Sequence, residues 1–144
     1  MEVKYLSFEM GHLDFFDPRD PLEDMWRDME SNYLNPQVDI ITVLIESQIL
    51  MIAGCNDLRK GVGEVWLLLD KCYKKYGMKL TRATIRLMKE YLVEQKGYHR
   101  LQMAVDINSE ENQKWAEHLG YRKEGLMKAY DSNRIDHHLY ARVF

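Results

Sequence analysis

The stretch Glu64 to Tyr91, EVWLLLDKCYKKYGMKLTRATIRLMKEY, most narrows what this chain can become, because it places a buried strand, a basic loop and an amphipathic helix in direct succession. Val65-Trp66-Leu67-Leu68-Leu69 is a short apolar run flanked by charge, as a strand covered on both faces requires. Thr84, Ile85, Met88, Tyr91, Leu92 and Gln95 recur at three- and four-residue intervals. A helix lays them on one face and leaves Arg86, Lys89, Glu90 and Glu94 in water, and Gly97 ends it as the residue after the last turn. Between strand and helix lie Lys71, Lys74, Lys75, Lys79 and Arg82, ahead of or within a helix start expected near Thr81. Unpaired backbone N–H groups and the helix dipole there favour an anion such as phosphate. The same lysines also suit a solvated surface, and the pattern alone does not choose.

Composition sets the outer bounds. With 144 residues, 46% of them hydrophobic, the chain can bury one sizeable core, and a single domain over residues 1–144 is expected. A net charge of −3 argues against a general nucleic-acid binder, since the basic residues gather at one loop. Cys55 and Cys72 form no CxxC pair, which disfavours a zinc site or disulfide framework and favours a reducing cytosol. No stretch has the length of a membrane span and the first residues do not resemble a signal peptide, so a cytoplasmic protein without membrane partners is expected.

In chain order, Met1 to Phe16 carries an apolar scatter suited to a first strand and a loop. Asp20-Pro21-Leu22-Glu23 has the form of a helix cap ahead of Met25, Trp26, Met29 and Tyr33, and Asn35-Pro36 stops that helix. Ile40 to Glu46 and Gln48 to Cys55 read as an antiparallel hairpin, with Asn56 to Gly63 as the loop into the organising strand. Beyond the helix, Tyr98 to Ile107 alternates as a strand. Strand, helix and strand in that order imply a parallel pair with a right-handed crossover. Asn108-Ser109-Glu110-Glu111 caps a short helix lined by Trp115, Ala116 and Leu119 and closed by Gly120. Two strands follow, near Tyr121 to Tyr130 and Ile135 to Phe144, with Asp131 to Arg134 as their turn. Trp26, Trp66 and Trp115 are most simply core. His137 and His138, adjacent on a strand, point to opposite faces and cannot jointly chelate one metal.

The order β, α, β, β, β, α, β, α, β, β, with NSEENQKWAEHLGY at Asn108 to Tyr121, Glu124-Gly125, and Asp136-His137-His138-Leu139-Tyr140-Ala141-Arg142, resembles the acyl-coenzyme A N-acyltransferase (GNAT) family. Within it, the C-terminal half looks like members that acetylate protein N-termini. The resemblance covers roughly Ile40 to Phe144. It implies an α/β (α+β) fold: a mixed, mostly antiparallel sheet with a central splayed parallel pair, flanked by helices. It also implies transfer of an acetyl group from acetyl-CoA to a primary amine, such as a protein N-terminus, a lysine or a small amine.

Residue roles follow from the same resemblance. Glu64 stands where several GNAT enzymes keep the carboxylate that deprotonates the amine; a solvent-facing glutamate at a strand end is the other reading. Leu67, Leu69, Lys74, Lys75, Gly77, Lys79, Thr81 and Arg82 fall on the cofactor-binding strand and loop, and Asn108 near the pantetheine arm. Asn108 and Ser109 are also adequate as plain helix caps. The tyrosine that many members use to protonate the leaving thiolate is replaced by Ala116, with Tyr121 and Tyr130 nearby. The glycine-rich pyrophosphate loop of the family is reduced here to YKKYGMKLTRA, with Gly77 alone and lysines where glycines would sit. This combination also looks like small GNAT-like proteins of short-tailed bacteriophages, some of them virion-associated. The competing expectation is therefore a non-catalytic binding or assembly protein with phage virion partners.

Overall fold

The computed structural model describes residues 2–20 and 25–144. Among the described residues seven strands form one sheet in the order β1-β2-β3-β4-β5-β7-β6. They are β1 (Val3–Ser7), β2 (Val38–Ile45), β3 (Gln48–Arg59), β4 (Val62–Leu69), β5 (Arg100–Asp106), β6 (Arg122–Met127) and β7 (His137–Val143). Neighbours pair antiparallel except β4 and β5, which run parallel as the strand, helix, strand order requires. The helices are α1 (Met25–Leu34), α2 (Gly77–Arg86) and α3 (Glu110–His118).

The N-terminal stretch supplies β1 and then a short 3-10 helix, Met10–Phe15, where only a loop was expected. Its Leu13 joins Phe8, Phe16 and Met29 against Ile40, Ile49 and Ile52 on one face of the sheet. The predicted helix cap at Asp20–Glu23 falls, from residue 21 on, outside the described residues. Of the apolar face predicted for α1, Met29 is buried but Trp26 is 48% exposed, so Trp26 is not core.

The hairpin between β2 and β3 turns on Glu46 and Ser47, both at positive φ, the conformation a tight two-residue turn demands. Asn56 to Gly63 is not a loop. β3 continues to Arg59 and β4 begins at Val62, because Gly61, at φ +81°, permits a second tight turn. A Cβ at Gly61 would also lie 2.3 Å from the His99 ring.

The Lys-rich segment differs most from the expectation of a loop. Lys71–Tyr76 is a 3-10 helix that runs straight into α2, so α2 starts at Gly77 and not near Thr81. Two forces explain this. The Asp70 carboxylate accepts the Cys72 N–H at 3.0 Å and caps the first turn. Tyr76, Leu80 and Ala83, at helical spacing, then bury against Val43, Ile45, Leu50 and Met51 of the sheet. Downstream of Arg86 the helix widens to a π-helix over Leu87–Gln95, with Lys96 N donating to Tyr91 O five residues back. Met88 and Leu92 keep their places in the core, but the wider turn carries Gln95 out into water and off the predicted stripe.

β4 packs on both faces, Trp66 and Leu68 against one cluster and Val65, Leu67 and Leu69 against those opposite, but Val65–Leu69 are only half-buried, because one edge of β4 looks into a gap. Trp66 lies over Gly54 on β3, its indole N–H donating to Asn56 Oδ1 at 2.8 Å. A Cβ at position 54 would sit 2.1 Å from the Trp66 ring. Gly54→Ala is therefore expected to displace the indole, break its hydrogen bond and cost about 1–3 kcal/mol, read as a lower denaturant midpoint at unchanged slope.

Candidate functional site

The site begins where the sheet stops being continuous. β4 and β5 share three ladder pairs, Val62↔Arg100, Gly63↔Leu101 and Glu64↔Gln102, and then diverge. The gap opens into a cleft of about 470 Å³. Alternation along β4 sends Val65 and Leu67 towards the α2 side and Glu64 and Trp66 towards the opposite face. Glu64, at the last paired position, lines this cleft.

Tyr130, in the connection between β6 and β7, also lines the cleft. Burial first, and then the charge and hydrogen bond of Glu64, push its phenol pKa up, so Tyr130 holds its proton beside the carboxylate. Its ring lies 5.1 Å from that of His137, whose Nε2 is 3.2 Å from Asp131 Oδ2. Asp131 also accepts the backbone N–H groups of Asn133 and Ile135, which locks the turn carrying Tyr130. Tyr121 differs from Tyr130: it is buried and its hydroxyl donates to Met88 Sδ at 3.1 Å. Ala116 is buried beneath α3.

A second groove, of about 740 Å³, continues from the C-terminal end of β4. Leu69, Lys74, Gly77, Thr81 and Arg82 line one wall, and α3 supplies Asn112, Lys114, Trp115 and His118 opposite. Asn112 and Trp115 line both cavities, so groove and cleft adjoin at these two side chains, on the path from the start of α2 to Glu64. Trp115 also donates its indole N–H to Thr81 Oγ1 at 3.0 Å, tying α3 to α2.

The sequence-predicted cofactor residues divide accordingly. Leu69, Lys74, Gly77, Thr81 and Arg82 meet in the groove, and Leu67 belongs to the cleft. Lys75 instead stacks its ammonium over the Tyr76 ring at 5.5 Å, and Lys79 lines neither cavity. Asn108 lines neither either; its backbone N–H bonds Asp106 Oδ1 at 2.8 Å, and the asparagine facing the path is Asn112, a turn further on. Asn112 and Trp115, three apart on α3, were legible as one helix face had the stripe been followed back from Trp115. Arg19, which also lines the groove, gave no signal in the sequence.

Gly77 tests whether an anionic ligand fits. Its φ and ψ of −50° and −48° are ordinary helical values, and nothing lies within 4 Å of where a Cβ would be. Neither backbone conformation nor protein packing requires a glycine here, where it costs about 0.5–1 kcal/mol against alanine. The helix backbone is open to close approach at Gly77, and Lys74 and Arg82, on the same groove, suit an anion such as phosphate.

No protein-family model matches the chain and no curated protein matches it in sequence. Solved structures do match. The ribosomal-protein-S18-alanine N-acetyltransferase from Escherichia coli superposes with a TM-score of 0.76 at 15% identity, over 97% of this chain and 92% of that one. A ribosomal L7/L12 α-N-protein acetyltransferase in complex with coenzyme A gives 0.77 at 13% identity, over 99% and 94%. A variant of spermidine N-acetyltransferase from Vibrio cholerae gives 0.77 at 10% identity, over 98% and 93%. The fold is thus that of the GNAT acetyltransferases. Among the described residues no helix is long and apolar enough to cross a membrane.

Cys55, on the cleft wall, has its thiol pKa pushed up to about 12, chiefly by burial. A folded-state pKa above the ordinary 9.0 means that the protonated thiol contributes stability present below pH 9.0 and lost as pH rises through about 12. Cys72 is exposed. A thiol-specific disulfide reagent at about pH 8 is therefore expected to titrate Cys72 at once and Cys55 only on unfolding, with Cys72→Ser abolishing the fast phase.

Proposed function

We propose that this chain is an N-acyltransferase that moves an acetyl group from acetyl-CoA to a primary amine. The observation that carries this reading is the adjacency of a phosphate-suited groove and a cleft with a carboxylate at the fork of β4 and β5, the two meeting at Asn112 and Trp115. The similar structures include an alanine N-acetyltransferase and an α-N-protein acetyltransferase of ribosomal proteins and a spermidine N-acetyltransferase, and this chain is proposed to take a primary amine of that kind.

When bound, acetyl-CoA supplies an acetyl group activated as a thioester. The residues of the chain do the rest. Lys74, Gly77, Thr81 and Arg82 would hold the phosphates, and Leu67 and Leu69 would flank the arm. Glu64 would take one proton from the incoming ammonium, so that the neutral amine could form the C–N bond as the C–S bond breaks, the second nitrogen proton passing to solvent. Beyond Glu64, β4 has no partner in β5, and N–H groups on that edge are suited to polarising the carbonyl oxygen. Tyr130, which keeps its proton beside Glu64, is placed to protonate the departing sulfur. Holding amine and thioester in register supplies much of the acceleration.

The test is thiol release from acetyl-CoA with peptide N-termini, lysine and polyamines as acceptors. Wild type is expected to release thiol with at least one of them. Glu64→Gln should lower kcat by about 10²-fold or more, with the KM for acetyl-CoA and the melting temperature retained. Undiminished turnover in Glu64→Gln removes the proton-acceptor role. A folded protein that binds coenzyme A but releases no thiol with any amine is a binding or assembly protein on the same fold.

A further inference from the structure

The groove raises a question of supply, because a diphosphate needs several donors and the backbone after β4 has few to give. Lys71 N donates to Asp17 O at 2.8 Å, Cys72 N to Asp70 Oδ1 at 3.0 Å, and Tyr73 N to Asp70 O at 3.0 Å. Three successive amides are therefore already satisfied within the protein, two of them by Asp70, which is 4% exposed. An anion in this groove needs side chains to supply what these amides do not.

The segment that takes the Lys71 amide also brings a cation. Pro18 bridges Asp70, Asp17 N donates to Asp70 Oδ2 at 2.8 Å, and Arg19 N donates to Leu69 O at 2.7 Å. These bonds lay Asp17 to Arg19 as a strap along the end of β4, and the Arg19 side chain enters the groove. Its Nη1 donates to Asn112 Oδ1 at 3.3 Å, and its Cζ stands 5.2 Å from the Tyr73 ring centroid. Tyr73 is itself held by its hydroxyl, which donates to Glu111 Oε1 at 2.6 Å. Arg19 is thus held at its backbone by β4 and at its guanidinium by the 3-10 helix and by α3, and only 21% of the side chain is exposed. Its remaining partner among the described residues, Asp20, takes both Nε, at 2.9 Å, and Nη2, at 2.7 Å, and is 72% exposed. A carboxylate so well solvated is a weak competitor for an incoming phosphate.

We propose that Arg19, from the segment ahead of α1, is a phosphate-binding residue of the acyl-donor site, replacing with a planar fork the backbone contacts that Asp70 and Asp17 have taken. This rests on the coenzyme A reading of the groove. Five N–H donors in fixed geometry suit a diphosphate better than the mobile ammonium of Lys74.

The experiment is calorimetric titration of coenzyme A into wild type, Arg19→Ala and Arg19→Lys at low and physiological salt, with the unliganded melting temperature of each. Arg19→Ala is expected to bind at least tenfold more weakly, with a shallower salt dependence, and Arg19→Lys to fall between. Equal affinity in wild type and Arg19→Ala overturns the proposal and leaves the proposed function standing. Loss of melting temperature without loss of affinity also overturns it, making Arg19 a staple for the strap. Should Arg19→Ala fail to fold, Arg19→Lys decides: several-fold weaker binding supports the phosphate contact and unchanged binding overturns it. Wild type that binds no coenzyme A overturns this inference and the proposed function together.

Discussion

Three ladder pairs hold β4 to β5, and the cleft of the candidate site opens where a fourth would have been. Continuing the ladder would bury the edge of β4, as in any closed sheet, and leave no interior to reach. Parting after Glu64 leaves a half-buried strand whose apolar residues wall a cleft and whose last paired side chain is a carboxylate. α2 with its π-helical extension and α3 pack over the same face, so the fork is roofed without being filled. The sheet here is both scaffold and aperture.

The larger elements were legible because local pattern and tertiary demand agreed. Val65 to Leu69, the stripe from Thr84 to Leu92 and the alternation through Leu101, Met103 and Val105 each fit one element, and their order left a parallel pair as the simple solution. The basic segment was not legible. Lysines and one glycine look like a loop, yet Asp70 caps a turn there and Tyr76, Leu80 and Ala83 pull the chain into helix. Packing outweighed composition, as it does wherever an amphipathic face finds a sheet.

The candidate site was legible in part for the same reason. Glu64 was proposed from the resemblance, and strand order suffices to put it at the last paired position before the fork. Asn108 was proposed from the resemblance at the start of α3, whereas the face of α3 that looks into a cavity, with Asn112 on it, depends on what lies across it. Trp115 reads as core by composition and stands at the junction of two cavities in space. Arg19 meets Asn112 across a separation of 93 residues, and no local window contains that fact.

The strap has an energetic standing of its own. It is fastened to the end of β4 by the Arg19 and Lys71 amides and by the Asp17 amide on Asp70, and releasing these breaks no rung between β3 and β4. Opening it is therefore a local event whose free energy is set by a few bonds rather than by the stability of the whole sheet. A ligand that touches the strap adds its binding free energy to that small local term. Amide exchange at Arg19 and Lys71 would then report groove occupancy while the central strands stayed equally protected with or without ligand.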